Sequence, residues 1–551
     1  MNILPANASP VGKPAAGPWL LAALAAVVLA VAAYANGVGG EFVLDDRPFL
    51  VDNPQLNEPH RFFYFFARDV YSYSNLPDVH TPNYRPLYFA VLWLGNIFFP
   101  GAPLGYHVFS LSLHIAATVL LLAAIPRLLP GTSPLAAGVG ACLFAVHPVH
   151  SEAVAWITPF THLMATVLVL ASYLVHHRYR RTRNPATLAL AGLLFLVALF
   201  GNEMAVGFPF FILIHDWVRY DRPRPLGAVP YFLVLGVYIV LRKIVLTDAF
   251  PLVLSDPDAW LRLPVFLAEY LRHLILPWPQ PLYLAMPSGW GISLGSGLAA
   301  GLLAALFVFL LTRPAEKRQG PLLATAWIFA ALMAPLAATF NPSPLFALRT
   351  LYMPSVGIAL LVAWLVGNHT FLQGKVGLAV IAAALLLALG ATVAANRDWL
   401  DDGRVYRRII ASNPGDFRGH LGLGGYLERT GKTDEAIRLY EEAIALAGPR
   451  QKAGPLERLG LLLGQAGDSA RSLEIYWQVT ELEPGRSSAW VGVGNNLWFM
   501  GRLSEAVDAY RKAHAADPGN RQACHNLAQT LMRLGKTEEA ARFAACAVKQ
   551  P

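Results

Sequence analysis

Charge is scarce in this sequence. Asp, Glu, Lys and Arg make up 14% of its 551 residues, while 55% are hydrophobic. Soluble domains carry about 25% charge, so a single soluble globular protein is excluded. Cysteine is scarcer still: Cys142, Cys524 and Cys546 have no metal-binding spacing and build no disulfide framework. Two unpaired buried thiols are expected at Cys524 and Cys546, with a bridge between them as the alternative in an oxidising compartment. The opening MNILPANASPVGK lacks a strongly basic start, and the apolar run Trp19–Ala35 lacks a cleavage site. That run reads as an uncleaved first transmembrane helix. The formal charge of +8 gathers in short loops and forms no basic, aromatic-laced face, so nucleic acid is not expected as a partner.

What the chain does have is long apolar runs. From Pro18 to Ala395 they dominate, and after Asn396 the sequence turns polar and helix-forming. A bilayer crossing needs about 20 mostly apolar residues. Stretches 18–36, 104–125, 153–175, 226–246, 293–312, 321–340 and 375–395 meet that length, and 86–99, 134–146, 186–200, 204–217 and 351–367 are shorter or interrupted. The basic loops 178-RYRRTR-183, 219-RYDRPR-224 and 313-RPAEKR-318 belong on the cytoplasmic side. Putting all three inside gives about eleven crossings, with either 86–99 or 134–146 not crossing fully. The Asp45–Asp46 loop, the His147–Glu152 turn, 247–292 and everything after 396 then lie outside, at the periplasmic face of an inner membrane. Within the first external loop, 37–85, the aromatic-rich 61-RFFYFFARDVYSYS-74 reads as a helix in the interface.

The polar end repeats itself. Gly431, Gly467, Gly501 and Gly535 recur at intervals of 36, 34 and 34 residues. Ala436, Ser472, Ala506 and Ala540 follow each glycine by five residues, and Tyr440, Tyr476 and Tyr510 follow three of them by nine. Pro414, Pro449, Pro484 and Pro518 punctuate the units. Such spacing is that of a helix-turn-helix solenoid resembling tetratricopeptide repeats over about 412–551. Its groove would take an extended peptide or protein partner. The fold expected is all-α: a polytopic helical membrane bundle over 1–396, a connector at 397–411, and a repeat solenoid at 412–551.

Ionisable groups at membrane depth are costly and usually functional. On the outer side by this topology lie Asp45 and Asp46, Arg85 in NYRPL, His147, His150 and Glu152 in HPVHSE, Glu203, and Arg349 in LRTLYMPS. A carboxylate takes the proton of an attacking hydroxyl, and arginines hold a phosphate leaving group through paired N–H donors. At a lipid-facing site, that mixture fits sugar transfer from a polyprenyl-phosphate donor. Each group also has a simpler reading. Asp45 and Asp46 fit the N-cap of an interfacial helix, HPVH a metal site, Arg85 a headgroup anchor and Arg349 a topology signal. His107 and His114 fit hydrogen-bonded core residues.

In order along the chain, FVLDD (42–46), NYRPL (83–87), His107 and His114, LFAVHPVHSEAVAWI (143–157), Glu203 with Asp216, RTLYMPS (349–355), NRDWLDD (396–402) and the repeats resemble the transmembrane and tetratricopeptide-repeat O-mannosyltransferases and their bacterial relatives. These are GT-C class membrane glycosyltransferases. The resemblance implies inverting transfer of a sugar to a protein hydroxyl on the outer face. It assigns the base to Asp45 or Asp46, and donor phosphate and sugar contacts to Arg85, His147, His150, Glu152, Glu203 and Arg349. No metal ligand set is implied, although a divalent cation is compatible with the chemistry. Where relatives carry Gly-Arg followed by an acidic residue, this chain has Pro159, Phe160 and His162. Asn202, Leu348 and Ser110 replace the family's Lys, Glu and Asn. The resemblance therefore leaves the sugar open. It also leaves an alternative: a catalytically degenerate relative that scaffolds envelope or glycan assembly. A transporter is disfavoured, since its membrane helices would show internal repeats.

Overall fold

The computed structural model describes residues 16–57, 64–68, 83–220, 227–246, 256–282, 301, 305, 315–341 and 346–548. Two compact units divide between Arg404 and Val405, inside the 397–411 stretch. All regular structure among the described residues is helical. Most of 61–74 and 293–312 lies outside the described residues, as do 247–255 and 283–292.

The first unit holds α1 (Ala16–Tyr34), α2 (Pro86–Phe98), α3 (Pro103–Leu128), α4 (Pro134–Val146), α5 (Ser151–Ala155), α6 (Phe160–Thr182), α7 (Pro185–Gly201), α8 (Phe208–Arg219), α9 (Val229–Val245), α10 (Pro257–Ile275), α11 (Ala315–Ala337), α12 (Ser355–Asn368), α13 (Thr370–Gln373) and α14 (Lys375–Asn396). Five of its helical segments are long and apolar enough to cross a membrane: Ala16–Tyr34, Pro103–Leu128, Phe160–Thr182, Arg318–Phe340 and Lys375–Trp399. Four shorter apolar helices, Pro86–Phe98, Pro134–Val146, Pro185–Gly201 and Ser355–Asn368, accompany them. Proline opens α2, α3, α4, α7 and α10, where its missing N–H costs nothing and its fixed φ suits the first turn. The expected stretch 153–175 is in fact broken: α5 ends at Ala155 and α6 starts at Phe160.

Small residues set how closely the helices approach, because van der Waals packing replaces the hydrophobic drive between helices in lipid. A Cβ on Gly140 would lie 2.6 Å from the Ala359 carbonyl oxygen of α12, so α4 and α12 meet backbone to backbone. Outward, the long helices carry unpartnered apolar side chains such as Leu20 (71% exposed) and Leu387 (75% exposed). Exposed apolar belts of this kind mark a lipid-facing surface.

The helix ends sort into two groups. At one, Asn36 donates to the Val393 carbonyl, Asn396 to the Ala33 carbonyl, and the Tyr238 hydroxyl to the Tyr84 carbonyl. At the other, Arg180 faces Asp216 at 3.0 Å and Arg219 donates to Gln319. Both ends of α2 belong to the first group: Arg85 pairs with Glu203, while Gly95 seats the Tyr106 ring, which meets Phe42. Helix α10 stays there too, since Arg262 donates to the Thr339 carbonyl and the Leu274 carbonyl contacts His147.

The second unit stacks α15 (Asp402–Ser412, begun in the first unit) and four helix pairs: α16 (Phe417–Arg429) with α17 (Thr433–Leu446), α18 (Ala453–Gln465) with α19 (Ser469–Leu482), α20 (Ser487–Phe499) with α21 (Leu503–Ala516), and α22 (Arg521–Arg533) with α23 (Thr537–Val548). The four repeating glycines lie in the turn within each pair, at φ between +75° and +88°. Left-handed backbone there explains the residue type. The tyrosines fill the space left by small residues on the facing helix: a Cβ on Gly494 would fall 2.4 Å from the Tyr510 ring.

Cys524 and Cys546 form a disulfide between α22 and α23, which corrects the expectation of two free thiols. The alternation of paired helices brings two cysteines 22 residues apart to a Cα separation of 5.9 Å, a bridgeable distance. Cys142 is the remaining free, buried cysteine. Mass spectrometry of non-reduced protein from cells is expected to recover the Cys524–Cys546 cross-linked peptide. Cys546→Ser is expected to lower the unfolding stability of the repeats by about 2–4 kcal/mol.

Candidate functional site

The site begins at the turn after α1. Leu44 adopts left-handed backbone, φ +47°, which is uncommon for a bulky residue. A π-helical turn, Arg47–Val51, follows with Pro48 in its first turn. This kink separates two neighbours that are chemically identical. Asp46 is fully buried: one carboxylate oxygen accepts from the Val43 amide and the other from the Thr158 amide, both at 3.0 Å. It stands at the N-cap position yet makes no side-chain cap bond. Asp45 is partly exposed, and among the described residues its carboxylate takes no hydrogen bond. Burial pushes the Asp46 carboxyl well above the usual range, with the two amides opposing it. Burial also raises Asp45, with the positive charge of Arg349 pulling the other way. Of the two, Asp45 is the carboxylate able to meet a ligand. Arg47 pairs with Asp402 at 2.9 Å, not with Asp46.

Arg349 arrives on the 3₁₀ turn Leu348–Leu351. Glu152 holds that turn with one oxygen accepting from the Leu348 and Arg349 amides, at 2.9 and 3.2 Å, while its other oxygen pairs with the Arg349 guanidinium. The guanidinium lies 5.2 Å over the ring of Trp156, and Trp156 stacks on Trp399 at 5.3 Å. Across the site, Glu203 does for Arg85 what Glu152 does for Arg349. Its carboxylate accepts from the Tyr84 amide at 3.1 Å and from Arg85 Nε at 2.5 Å. Buried His162 lies close enough to both Arg85 and Arg349 to feel their charges.

The histidines of HPVH serve the turn itself. His147 contacts the Leu274 carbonyl through Nε2 and accepts from the Val149 amide through Nδ1. His150 Nε2 meets the Ser355 hydroxyl at 2.7 Å; that hydroxyl donates to the Tyr352 carbonyl, so His150 supplies the proton between them. His114 bridges the Tyr352 hydroxyl and the Ala145 carbonyl, as a core residue would. On the other flank of the first loop, a cleft of about 510 Å³ is lined by Phe42, Leu50, Asp52, Asn96 and Tyr106, among others.

Tetratricopeptide repeat models match residues 387–450, 457–521 and 497–547. Protein O-mannosyl-transferase F38B6.6 of Caenorhabditis elegans is 26% identical over 436 residues, covering 76% of this chain and 62% of its own length. Protein O-mannosyl-transferase Tmtc1 of Drosophila melanogaster is 24% identical, covering 74% and 59%. Protein O-mannosyl-transferase TMTC3 of Mus musculus is 21% identical, covering 92% and 65%. The chain is a distant homologue of the TMTC protein O-mannosyl-transferases, with C-terminal tetratricopeptide repeats. It spans about three fifths of the length of these curated relatives.

Against that homology, the site divides into groups open to a ligand and groups that build the frame. Asp45, Arg85 and Arg349 are partly exposed, whereas Asp46 and Glu152 are buried and satisfied by backbone amides. Sequence reading assigned no role to Trp156, His162, Trp399 or Asp402. Trp156 lies in AVAW, and Trp399 and Asp402 in NRDWLDD, stretches already singled out in the sequence, whereas nothing in the sequence marked His162 as functional. Asp46→Ala would strand two buried amides and is expected to cost about 2–4 kcal/mol. Asp45→Asn is expected to change stability by less than about 0.5 kcal/mol. Thermal unfolding of the detergent-solubilised full chain compares the two.

Proposed function

We propose that the protein is a GT-C class glycosyltransferase that moves a hexose or pentose from a polyprenyl-phosphate donor to a hydroxyl of a protein acceptor on the non-cytoplasmic face. The observation that carries this reading is the contrast between the paired aspartates. Asp46 is consumed by backbone amides, while Asp45 stays open beside the charge of Arg349. In the reaction the bond between sugar C1 and the donor phosphate oxygen breaks. The acceptor oxygen bonds to C1 from the opposite face, its proton passes to Asp45, and polyprenyl phosphate leaves. Arg85 and Arg349 steady that phosphate, with Glu203 and Glu152 orienting them. His147 and His150 shape the turn that carries Glu152. The repeats select the acceptor or a partner.

The topology proposed with it has about eleven crossings. Counting from a cytoplasmic Ala16, the outward or inward runs are α1, α3, α4, α6, α7, α8, α9, the apolar stretch 293–312, α11, α12 and α14, with α2 and α10 lying across the outer end. This orientation is supported by the basic loop at Arg178–Arg183 sharing an end with Arg219 and Gln319. The Cys524–Cys546 bridge supports a periplasmic repeat domain, since cytoplasmic thiols are kept reduced. We take the membrane domain as 1–396, the connector as 397–411 and the repeat domain as 412–551.

A second reading, a non-catalytic scaffold, is favoured by one observation: both arginines already have carboxylate partners. Envelope glycoprotein profiling separates the two. Cells with a deletion are expected to lose one protein-linked glycan, Asp45→Asn to fail to restore it, and the wild type to restore it at matched membrane levels. Restoration by Asp45→Asn would establish the scaffold. With the donor so identified, the rate should fall as pH drops through the Asp45 pKa, because the base must be unprotonated. That pKa lies above the ordinary carboxylate range through burial, and Arg349 holds it down. Arg349→Gln is therefore expected to move the acid limb to higher pH while lowering the maximal rate, as read from pH–rate profiles in nanodiscs.

A further inference from the structure

Segment 397–402 follows the last membrane helix and belongs to the first unit. Asp402 is 2% exposed. One of its carboxylate oxygens accepts from the Leu44 amide and the other from Arg47 Nε, each at 2.9 Å. These two donors flank Asp45 on the chain, one residue before it and two after. Leu44 is also the residue with φ +47°, a conformation that costs energy for a branched side chain and persists only where surroundings enforce it. Nearby, the Glu41 amide donates to the Leu400 carbonyl at 2.9 Å. Three residues before Asp402, Trp399 stacks on the Trp156 ring that lies beneath the Arg349 guanidinium. One short segment therefore touches the supports of both Asp45 and Arg349.

We propose that Asp402 is a positioning residue. Its carboxylate clamps the strained turn at Leu44 and, together with the Trp399–Trp156 stack, fixes the spacing between the Asp45 carboxylate and the Arg349 guanidinium. The proposal rests on the reading of Asp45 as the base. Asp402 does not touch the reacting groups; it acts through Leu44 and Arg47. A buried charge-assisted pair suits this task, because removing one partner leaves the other uncompensated and frees the turn. A conservative amide keeps the shape but can no longer serve both a backbone N–H and a guanidinium as acceptor.

The test has an arm that needs no activity. In this chain, with Cys524 and Cys546 bridged, Cys142→Ala with Asp45→Cys leaves one free thiol, and outer-face membranes are labelled with a charged, impermeant maleimide. Adding Asp402→Asn is expected to raise the labelling rate at position 45 by about tenfold. Arg47→Gln, which opens only half of the clamp, should raise it less, and Asp402→Glu should restore a rate close to that with Asp402. Equal rates across these variants would overturn the clamp. The second arm uses the donor and acceptor identified by glycoprotein profiling. Asp402→Asn in an otherwise native chain should lower kcat by about a hundredfold and leave the donor KM unchanged. A raised KM with kcat intact would overturn the positioning role. If Asp45→Asn proves active, the base reading fails, and with it the catalytic role of the clamp. The labelling arm still decides whether the clamp itself exists.

Discussion

The carboxylate of Glu152 is the interaction on which the Asp45–Arg349 end of the membrane unit depends. It is buried in the first turn of α5, and it accepts from two consecutive amides and a guanidinium nearly two hundred residues away in sequence. An ionised group in this setting is tolerable only if its lone pairs are filled. Filling them fixes the Leu348–Leu351 turn against α5, and that turn carries Arg349. The histidines of the same motif complete the frame by tying the turn to Leu274 and Ser355. The HPVHSE motif thus reads as a scaffold for one arginine.

The same logic runs through the other acidic residues. Glu203 fixes Tyr84 and Arg85, Asp46 fixes Val43 and Thr158, and Asp402 fixes Leu44 and Arg47. Each carboxylate takes at least one backbone amide, so each constrains main chain. Asp45 is the exception among them. A loop so densely tied around the partly exposed Asp45 carboxylate is preorganised about that carboxylate. Preorganisation of this kind is what lowers the cost of aligning reacting groups.

Much of this could be read from the residues. Apolar periodicity and length located the helices, because bilayer thickness fixes the length of a span. The repeating glycines located the solenoid, because only a left-handed turn demands that residue at that spacing. The break at Ala155–Phe160 was hidden, since Val154, Ala155, Trp156 and Ile157 are as apolar as any span. Division of labour between Asp45 and Asp46 was hidden for a different reason. It depends on a kink at Leu44 and on amides from Thr158, and nothing local announces either one. The partner of Arg47 lay 355 residues away. The disulfide stood only as the alternative, because pairing across two helices is a matter of solenoid geometry and not of cysteine spacing.

The pairing of both arginines looks at first like an argument against phosphate binding. A guanidinium, however, carries five N–H donors in a planar fork. Glu203 engages Arg85 through Nε, and Glu152 engages Arg349 through one terminal nitrogen. Among the described residues, the other donors of both side chains have no partner. A carboxylate on one edge of the fork orients the rest and cancels part of the charge, and such a site grips a phosphate less tightly than two bare arginines would. In the proposed reaction that weakening is compatible with turnover, because the phosphate would leave with its lipid. Tight holding of donor and product alike would slow release without favouring the transition state. The charge balance that seems to weaken the site therefore suits the proposed catalyst, which must let its product go.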